Sequence, residues 1–372
     1  TDMFVAKRGI NYFLLWFVKS IGLMIRNFQG LQTLRQHERL DWPQLVEDLQ
    51  QNRVNPGSSV PSWHTSNLQR VRELKPHDIL HAIIIAAYNE GREVLEPTIK
   101  SVLDSHYDMS KVILVLAYEG RDGAQSEEAC QNLAKEYSPR FKHVMAVKHP
   151  LTPHEVRGKG GNISYAARQL QKYLETAKID PLRVVVTTLD SDNRPHKNYL
   201  AALTYLYVVC PDPIRASFQP VPIYNNNIWD VPAPIRVIAT GNSFWNIILS
   251  MRPHMIRNFA SHSQGMASLI QTDFWSVRTI VEDGHQFWRS YMRFDGDYQV
   301  YPLYIPIYQD AVFTGKYLKT LKAQFGQLRR WAWGASDIAY VVDKGFYTKN
   351  KIPKRDLVMK FGRLMEGHIS WS

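Results

Sequence analysis

Continuous apolar runs that alternate with segments of helical periodicity restrict the fold of this chain more than any other feature. The runs lack polar alternation, which is typical of parallel strands buried on both faces. They occupy 79–88, 111–119, 143–148 and 183–190, and the helical segments between them occupy 93–105, 126–137 and 161–177. Strands alternating with helices predict a mostly parallel, Rossmann-like α/β sheet with flanking helices and right-handed crossovers.

Polar residues follow three of these predicted strands. The strand ends read Asn89-Glu90, Glu119-Gly120 and Asp190-Ser191-Asp192. Ligands of such sheets bind beyond the carboxyl ends of the strands, so we expect these side chains at one edge. Glu119 could hold a ribose hydroxyl or the base of a nucleotide there, or it could be a solvated loop acid.

The pair Asp190 and Asp192 places two mutually repelling carboxylates directly after a buried strand. Mg²⁺ and Mn²⁺ prefer carboxylate and phosphate oxygens and need only one or two protein carboxylates when a substrate phosphate completes the shell. A divalent metal site is therefore predicted, with Asp190 and Asp192 as ligands. The alternative is an aspartate turn that caps a helix beginning near Lys197.

Three further motifs carry side chains suited to the chemistry of a nucleotide diphosphate. In "GKGGN" (158–162) the glycines let the backbone approach a phosphate and Lys159 adds a compact positive charge, unless the segment is only a flexible turn. In "VEDGHQFW" (281–288) Asp283 could be a general base, or an acid that caps a helix. In "QLRRW" three side chains share one face of a predicted helix: the amide of Gln327, the guanidinium of Arg330 and the indole of Trp331. They could bind a pyrophosphate, or they could be the polar flank of an ordinary amphipathic helix.

The net charge of +11 lies at the two ends of the chain. Residues 316–363 carry twelve basic and three acidic side chains, and residues 1–26 carry four basic and one acidic. A nucleic-acid binder would carry its basic residues across the main body, so no nucleic acid is expected as a partner. Basic ends interleaved with aromatics suit an anionic membrane surface.

The ends therefore predict three segments. Residues 1–78 form a membrane-proximal helical segment and linker, in which "INYFLLWFVKSIGLMI" (10–25) is an interfacial helix or, alternatively, an ordinary docking helix. Residues 79–342 form the catalytic domain, with a helical pattern from Asp310 to Asp343. Residues 343–372 form a basic, interfacial segment that leads toward membrane helices outside this sequence, which we expect to be a piece of a longer protein. Two cysteines fit a reducing compartment, so the catalytic domain is expected on the cytoplasmic side of a membrane.

In this order, the motifs resemble inverting glycosyltransferase family 2, in the branch of cellulose synthase and hyaluronan synthase. "AAYNEG" (86–91) resembles the opening strand and turn of the family, and "LDSD" (189–192) its DxD. "VED" (281–283) resembles its [ST]-E-D, with Val281 in place of the usual hydroxyl residue, and "QLRRW" (327–331) matches its QxxRW. The resemblance runs from about Ile79 to Trp331.

The resemblance implies a GT-A type sheet that binds a nucleotide-diphospho-sugar, a UDP-sugar before others. Asp190 and Asp192 would contact Mg²⁺ or Mn²⁺ on the donor diphosphate, and Asp283 would deprotonate the acceptor hydroxyl. The donor diphosphate and the acceptor sugar would contact Gln327, Arg330 and Trp331. The nucleotide base would lie near Tyr88 and Glu90. Many members of the family have an aspartate where this chain has Glu119. Asp122 could take the role of that aspartate.

The sequence thus predicts a metal-dependent inverting hexosyltransferase that acts on a glycan or lipid-linked acceptor at a membrane, in polysaccharide biosynthesis, with processivity left open. One alternative is a nucleotidyltransferase that makes sugar nucleotides on the same fold. The other is a non-enzymatic protein that binds anionic lipid or nucleic acid. The segment 260–268 is expected to be a loop that meets the acceptor.

Overall fold

The computed structural model describes residues 2–57, 59–71, 73–120, 124–150 and 152–369, with only the backbone described for residues 2–9, 11 and 124. Eight strands form one mixed sheet in these ranges. They are β1 (Leu80–Ala87), β2 (Val112–Glu119), β3 (His143–His149), β4 (Val184–Asp190), β5 (Arg194–Pro195), β6 (Ala216–Tyr224), β7 (His262–Gly265) and β8 (Gln299–Gln309). Their order in the sheet is β3-β2-β1-β4-β7-β6-β8-β5.

Thirteen α-helices surround this sheet in the described part of the chain. They are α1 (Asp2–Arg39), α2 (Trp42–Gln51), α3 (Ser62–Leu68), α4 (Arg92–Leu103), α5 (Ala124–Tyr137), α6 (Lys159–Thr176), α7 (Tyr199–Val209), α8 (Ala233–Ser250), α9 (Met266–Gln271), α10 (Glu282–Arg293), α11 (Tyr317–Ala332), α12 (Ser336–Val341) and α13 (Lys354–Ile369). A π-helical turn, Val342–Tyr347, follows α12.

The predicted α/β half is confirmed. Strands β1 to β4 pair in parallel, and α4, α5 and α6 connect them in sequence. The apolar runs are buried on both faces because two clusters cover the sheet, one against α4, α5 and α7 and the other against α6 and α9. The carboxyl ends of these strands share one edge of the sheet, which we call the acidic edge.

The second half of the sheet was not predicted. β7 pairs antiparallel with β4 and β6, while β6 and β8 are parallel to each other, with a register shift between Gln219 and Val221. The prediction that residues 260–268 form a loop was wrong, because β7 is a buried strand and α9 follows it. The helical pattern expected from Asp310 begins only at Tyr317.

A segment near each end of the chain packs against helices that flank the sheet. α2 packs against α7, and Trp42 stacks with Trp63 and meets Tyr205 edge to face. At the other end, Leu357 and Leu364 of α13 are buried in a cluster with Trp288 and Tyr291 of α10. The domain boundaries at 78 and 342 stay predictions, since both flanking segments share packing with the sheet or its helices.

The stretch of α1 at residues 10 and 12–21 is different, because its apolar side chains are exposed on every face. Phe13 is 73% exposed, Leu15 71% and Phe17 64%. From Gly30 onward the helix docks on α8, where Leu34 is buried with Ile247. Among the described residues, no helix combines the length and the apolar character that crossing a bilayer requires.

Candidate active site

Asp190 and Asp192 lie at the acidic edge, as predicted. Asp190 is the last residue of β4, and Asp192 follows in the turn. They do not cap a helix, since α7 begins only at Tyr199 and its N-cap residue is Asn198. The sequence analysis predicted a divalent metal ion at the two carboxylates, and the structure shows an ammonium on one of them: Lys159 Nζ lies 2.7 Å from Asp190 Oδ1.

Lys159 reaches Asp190 because glycines seat the start of α6 very close to the neighbouring segment. A Cβ on Gly160 would lie 2.5 Å from the carbonyl oxygen of Ser276 and 3.0 Å from Cβ of Glu282. Asn162 then fastens the helix to the sheet by donating to the carbonyls of Ala87 and Ala117 at 3.2 and 3.0 Å. "GKGGN" is therefore an ordered helix start rather than a flexible turn.

Glu282 and Asp283 open α10 beside the same lysine. The Asp283 carboxylate accepts hydrogen bonds from the backbone N–H of Ala260, at 2.5 Å, and of Gly284, at 2.7 Å. Burial and the charge of Asp283 raise the pKa of Glu282 to about 8. Burial also raises the pKa of Asp283, opposed by the Gly284 N–H and by Lys159 and assisted by Asp190. The charge of Asp190 acts on the pKa values of Lys159, Glu282 and Asp283, so these four side chains form one site.

The site includes two residues that the sequence analysis missed. The backbone N–H of Asp310 donates to Asp192 Oδ2 at 3.2 Å, and Oδ1 of Asp310 is buried without a hydrogen-bond partner. Burial, Asp190 and Asp310 raise the pKa of Asp192 to about 7. Tyr224 ends β6 two residues before Asn226, whose side chain donates to the carbonyl oxygen of Asp192 at 3.1 Å. Burial and the charges of Asp190, Asp192 and Asp283 raise the pKa of Tyr224.

A sequence signal for Asp310 existed but was weak. Asp310 ends the run "YPLYIPIYQ" of β8 just as Asp190 ends β4. Pro302 and Pro306 interrupt that run, and proline argues against a central strand. β6, which brings Tyr224, also contains two prolines, Pro220 and Pro222, so neither strand was recognised.

The predicted nucleotide-binding residues occupy the ends of β1 and β2. Tyr88 is exposed, and the Glu90 carboxylate accepts from the backbone N–H groups of Tyr88 and Asn89 at 2.6 and 3.1 Å. Glu119 is buried and pairs in register with His149 of β3. Asp122, named as its substitute, lies outside the described residues.

The QLRRW segment lies on the last turns of α11, and among the described residues no hydrogen bond or ion pair joins it to the acids. Gln327 accepts from Gln324 at 3.1 Å, while Arg330 is exposed and makes no hydrogen bond or ion pair within the described part of the chain. Only the first half of α11 is anchored, through buried Thr320 and Gln324. The predicted contact of Gln327, Arg330 and Trp331 with the donor stays a prediction.

An apolar cleft of about 370 Å³ adjoins this site between α1, α8 and the ends of β6 and β8. Tyr224 lines the cleft and also faces the acids, so it joins the two. A larger depression of about 860 Å³ lies at the opposite edge of the sheet, near Arg215 and Gln299. We assign no chemistry to it, because β6 and β8 begin there and the acids lie at their other ends.

The described residues contain no group of three or more His, Cys, Asp or Glu side chains arranged to hold a metal ion by themselves. The two DxD carboxylates nevertheless have the donor chemistry that Mg²⁺ or Mn²⁺ takes together with phosphate. The orphaned Oδ1 of Asp310 leaves negative charge beside Asp192 without a partner. The residues present therefore fit a cation that arrives with a phosphate ligand.

Comparisons with known proteins agree with this geometry. Residues 82–208 match the family model described as Glycosyl transferase family 2, a segment that runs from β1 to α7 and includes Asp190 and Asp192. It covers about a third of the chain and ends before Asp283 and QLRRW. No curated protein matches the sequence.

Two solved structures share the fold. The mannosyltransferase PcManGT from Pyrobaculum calidifontis, in complex with GDP-Man and Mn²⁺, is 15% identical with a TM-score of 0.50, over 91% of this chain and 80% of that chain. TarS 1–349 from S. aureus, in complex with UDP-GlcNAc, is 12% identical with a TM-score of 0.51, over 79% and 74%. At such identities the likeness shows the fold alone.

The fold is that of GT-A glycosyltransferases, and the matched segment is a glycosyltransferase domain. The chain is thus an enzyme, a glycosyltransferase, and residues 82–208 are the part that matches the Glycosyl transferase family 2 model. This favours the transferase over the nucleotidyltransferase and over a non-enzymatic binding protein.

Proposed function

We propose that this enzyme transfers a sugar from a nucleotide-diphospho-sugar to a hydroxyl of a glycan or lipid-linked acceptor and inverts the configuration at the anomeric carbon. A UDP-sugar is the first candidate for the donor. The observation that carries the proposal is the convergence of Asp190, Glu282 and Asp283 on Lys159, with Asp192 beside Asp190. PcManGT was solved with GDP-Man and Mn²⁺, and TarS with UDP-GlcNAc, which supports a nucleotide-sugar donor here.

Asp190 and Asp192 are the residues that would hold Mg²⁺ or Mn²⁺. When bound, such an ion neutralises the charge that develops on the leaving diphosphate. Lys159 lies on the same side and would contact the phosphates as a compact cation. Tyr88, Glu90 and Glu119, at the neighbouring strand ends, would face the nucleoside.

Asp283 is the proposed base. The acceptor oxygen forms a bond to the anomeric carbon while the bond to the diphosphate breaks, and the nucleoside diphosphate leaves with that electron pair. Asp283 takes the acceptor proton, and attack from the face opposite the leaving group inverts the configuration. Two backbone N–H groups orient this carboxylate, and its raised pKa makes it a stronger base than an ordinary aspartate.

Gln327, Arg330 and Trp331 would complete the site from α11. A guanidinium that makes no ion pair of its own is free to bind a diphosphate, and an indole can stack on a sugar. QLRRW and the acidic pair at 282–283 are also the basis for assigning the enzyme to the branch of cellulose synthase and hyaluronan synthase, and hence to polysaccharide biosynthesis.

The donor class can be tested by thermal unfolding of the full chain with UDP- and GDP-sugars in the presence and absence of Mn²⁺. A donor present at about 100 times its dissociation constant should add about 2.7 kcal/mol to the free energy of unfolding. Stabilisation should require Mn²⁺ and should disappear in Asp190→Asn. Stabilisation by nucleoside triphosphates alone, with pyrophosphate released from a sugar phosphate, would instead establish the nucleotidyltransferase.

Membrane association of the enzyme, with the catalytic domain on the cytoplasmic side, is part of the proposal. The exposed apolar side chains of α1 and the basic side chains of 316–363 support it. In a flotation assay with vesicles containing phosphatidylserine, the full chain should float, and a chain shortened by residues 1–26 should float much less. A full chain that stays at the bottom of the gradient contradicts the proposal.

A further inference from the structure

The ammonium of Lys159 contacts a carboxylate that the proposed metal ion would also use. Lys159 Nζ lies 2.7 Å from Asp190 Oδ1, and the side chains of Lys159 and Asp190 are 19% and 43% exposed. A charge-assisted hydrogen bond of this length occupies one of the two oxygens of that carboxylate. An ammonium and a divalent cation repel each other strongly at such separations, so the two compete for Asp190.

Lys159 can leave Asp190 only by rotating its side chain. Its backbone is held because Gly160, the next residue, packs against the Ser276 carbonyl and Glu282. The four-carbon stem of lysine allows the ammonium to swing within a short radius. The Lys159 side chain is only 19% exposed, and a largely buried ammonium needs an anion wherever it goes.

A diphosphate bound next to the start of α6 would provide that anion. The N-cap residue of α6 is Gly158, which has no side chain to satisfy the first backbone N–H groups. N–H groups at a helix start favour phosphate oxygens, and Lys159 is the first residue of this helix. Phosphate there would draw Lys159 from Asp190 and leave Asp190 open to a divalent cation.

We propose that Lys159 makes metal binding depend on the donor. In the donor-free enzyme its ammonium is the counter-ion of Asp190 and keeps divalent cations out. When a nucleotide diphosphate binds, the ammonium moves to the phosphates and the divalent cation takes its place on Asp190. The inference rests on the proposed function. It adds that the metal ion and the donor bind as a coupled pair, in which each raises the affinity of the enzyme for the other.

The experiment is Mn²⁺ binding to the full chain, followed by the electron paramagnetic resonance signal of free Mn²⁺ with and without UDP. For the wild type we expect weak binding of Mn²⁺ alone and at least about tenfold tighter binding with saturating UDP. Lys159→Met removes the charge and keeps the bulk, so Mn²⁺ alone should bind at least about tenfold tighter than to the wild type. The increase in Mn²⁺ affinity that UDP causes should therefore be smaller in Lys159→Met than in the wild type.

Three variants serve as controls. Lys159→Arg keeps the charge and should bind Mn²⁺ alone as weakly as the wild type. Lys172→Met changes an exposed lysine on the same helix and should behave like the wild type. The double variant Lys159→Met/Asp190→Asn should lose the gained affinity, because the ion then lacks its ligand. If Lys159→Met does not fold, Lys159→Gln is measured in its place.

Two outcomes overturn the inference and are distinguishable. If folded Lys159→Met binds Mn²⁺ alone with wild-type affinity while UDP still tightens Mn²⁺ binding to the wild type, Lys159 does not control the metal and the proposed function stands. If neither UDP nor GDP binds the wild type together with Mn²⁺, the proposed function fails and the inference fails with it.

Discussion

Asp283→Asn should lower the rate of sugar transfer by about 10²–10⁴-fold, the usual contribution of a general base, while Mn²⁺-dependent donor binding persists. The amide has the shape of the carboxylate but cannot take a proton. It can still accept from one of the two backbone N–H groups that hold Asp283, those of Ala260 and Gly284. Single-turnover transfer and donor affinity, measured on the same preparation, separate the two effects. Transfer at the parent rate would show that Asp283 is not the base.

Glu282→Gln is the matched control, because it changes the adjacent carboxyl and leaves Asp283 in place. It should cost less activity than Asp283→Asn. Burial raises the pKa of Asp283, so the base is protonated at low pH and transfer should increase as pH rises through this raised pKa. The charge of Asp283 contributes to raising the pKa of Glu282 to about 8, so Glu282 is still mostly neutral where Asp283 ionises. Glu282→Gln should therefore leave the acid limb of kcat/KM near its wild-type position.

Gly160→Ala should lower the free energy of unfolding by about 1–3 kcal/mol, the usual cost of overpacking, and should weaken donor binding as well. The added Cβ would lie 2.5 Å from the backbone carbonyl oxygen of Ser276, which cannot rotate away. Either α6, which begins at Lys159, or the segment that leads into α10, which begins at Glu282, must shift. Chemical denaturation and Mn²⁺-dependent donor binding measure the two consequences.

Gly362→Ala provides the comparison for this prediction. Gly362 lies within α13, where nothing approaches an added Cβ within 4 Å. Alanine is the better helix former, so the substitution should raise the free energy of unfolding by about 0.5–1 kcal/mol. Equal effects at the two glycines would mean that the close packing at Gly160 is not a constraint.

The local half of the fold was predictable because its signals are local. Continuous apolar runs and helical periodicity located β1 to β4 and the helices between them, and the strand ends located Asp190 and Asp192. β6, β7 and β8 were missed because prolines interrupt two of them and the third is the short polar segment "HSQG". Their strand identity depends on pairing with distant partners, which no local pattern reveals.

The sequence by itself determined the kinds of chemical groups and their positions at strand and helix ends: two carboxylates after β4, a lysine among glycines, and an acidic pair before an amphipathic helix. Only the tertiary structure decided which of these groups meet. It placed Lys159 on Asp190, brought Asp310 and Tyr224 to the same edge, and left Arg330 exposed on α11. The physical reason is that strand order and close backbone packing, as at Gly160, are set by long-range contacts, whereas residue type and spacing record only local preference.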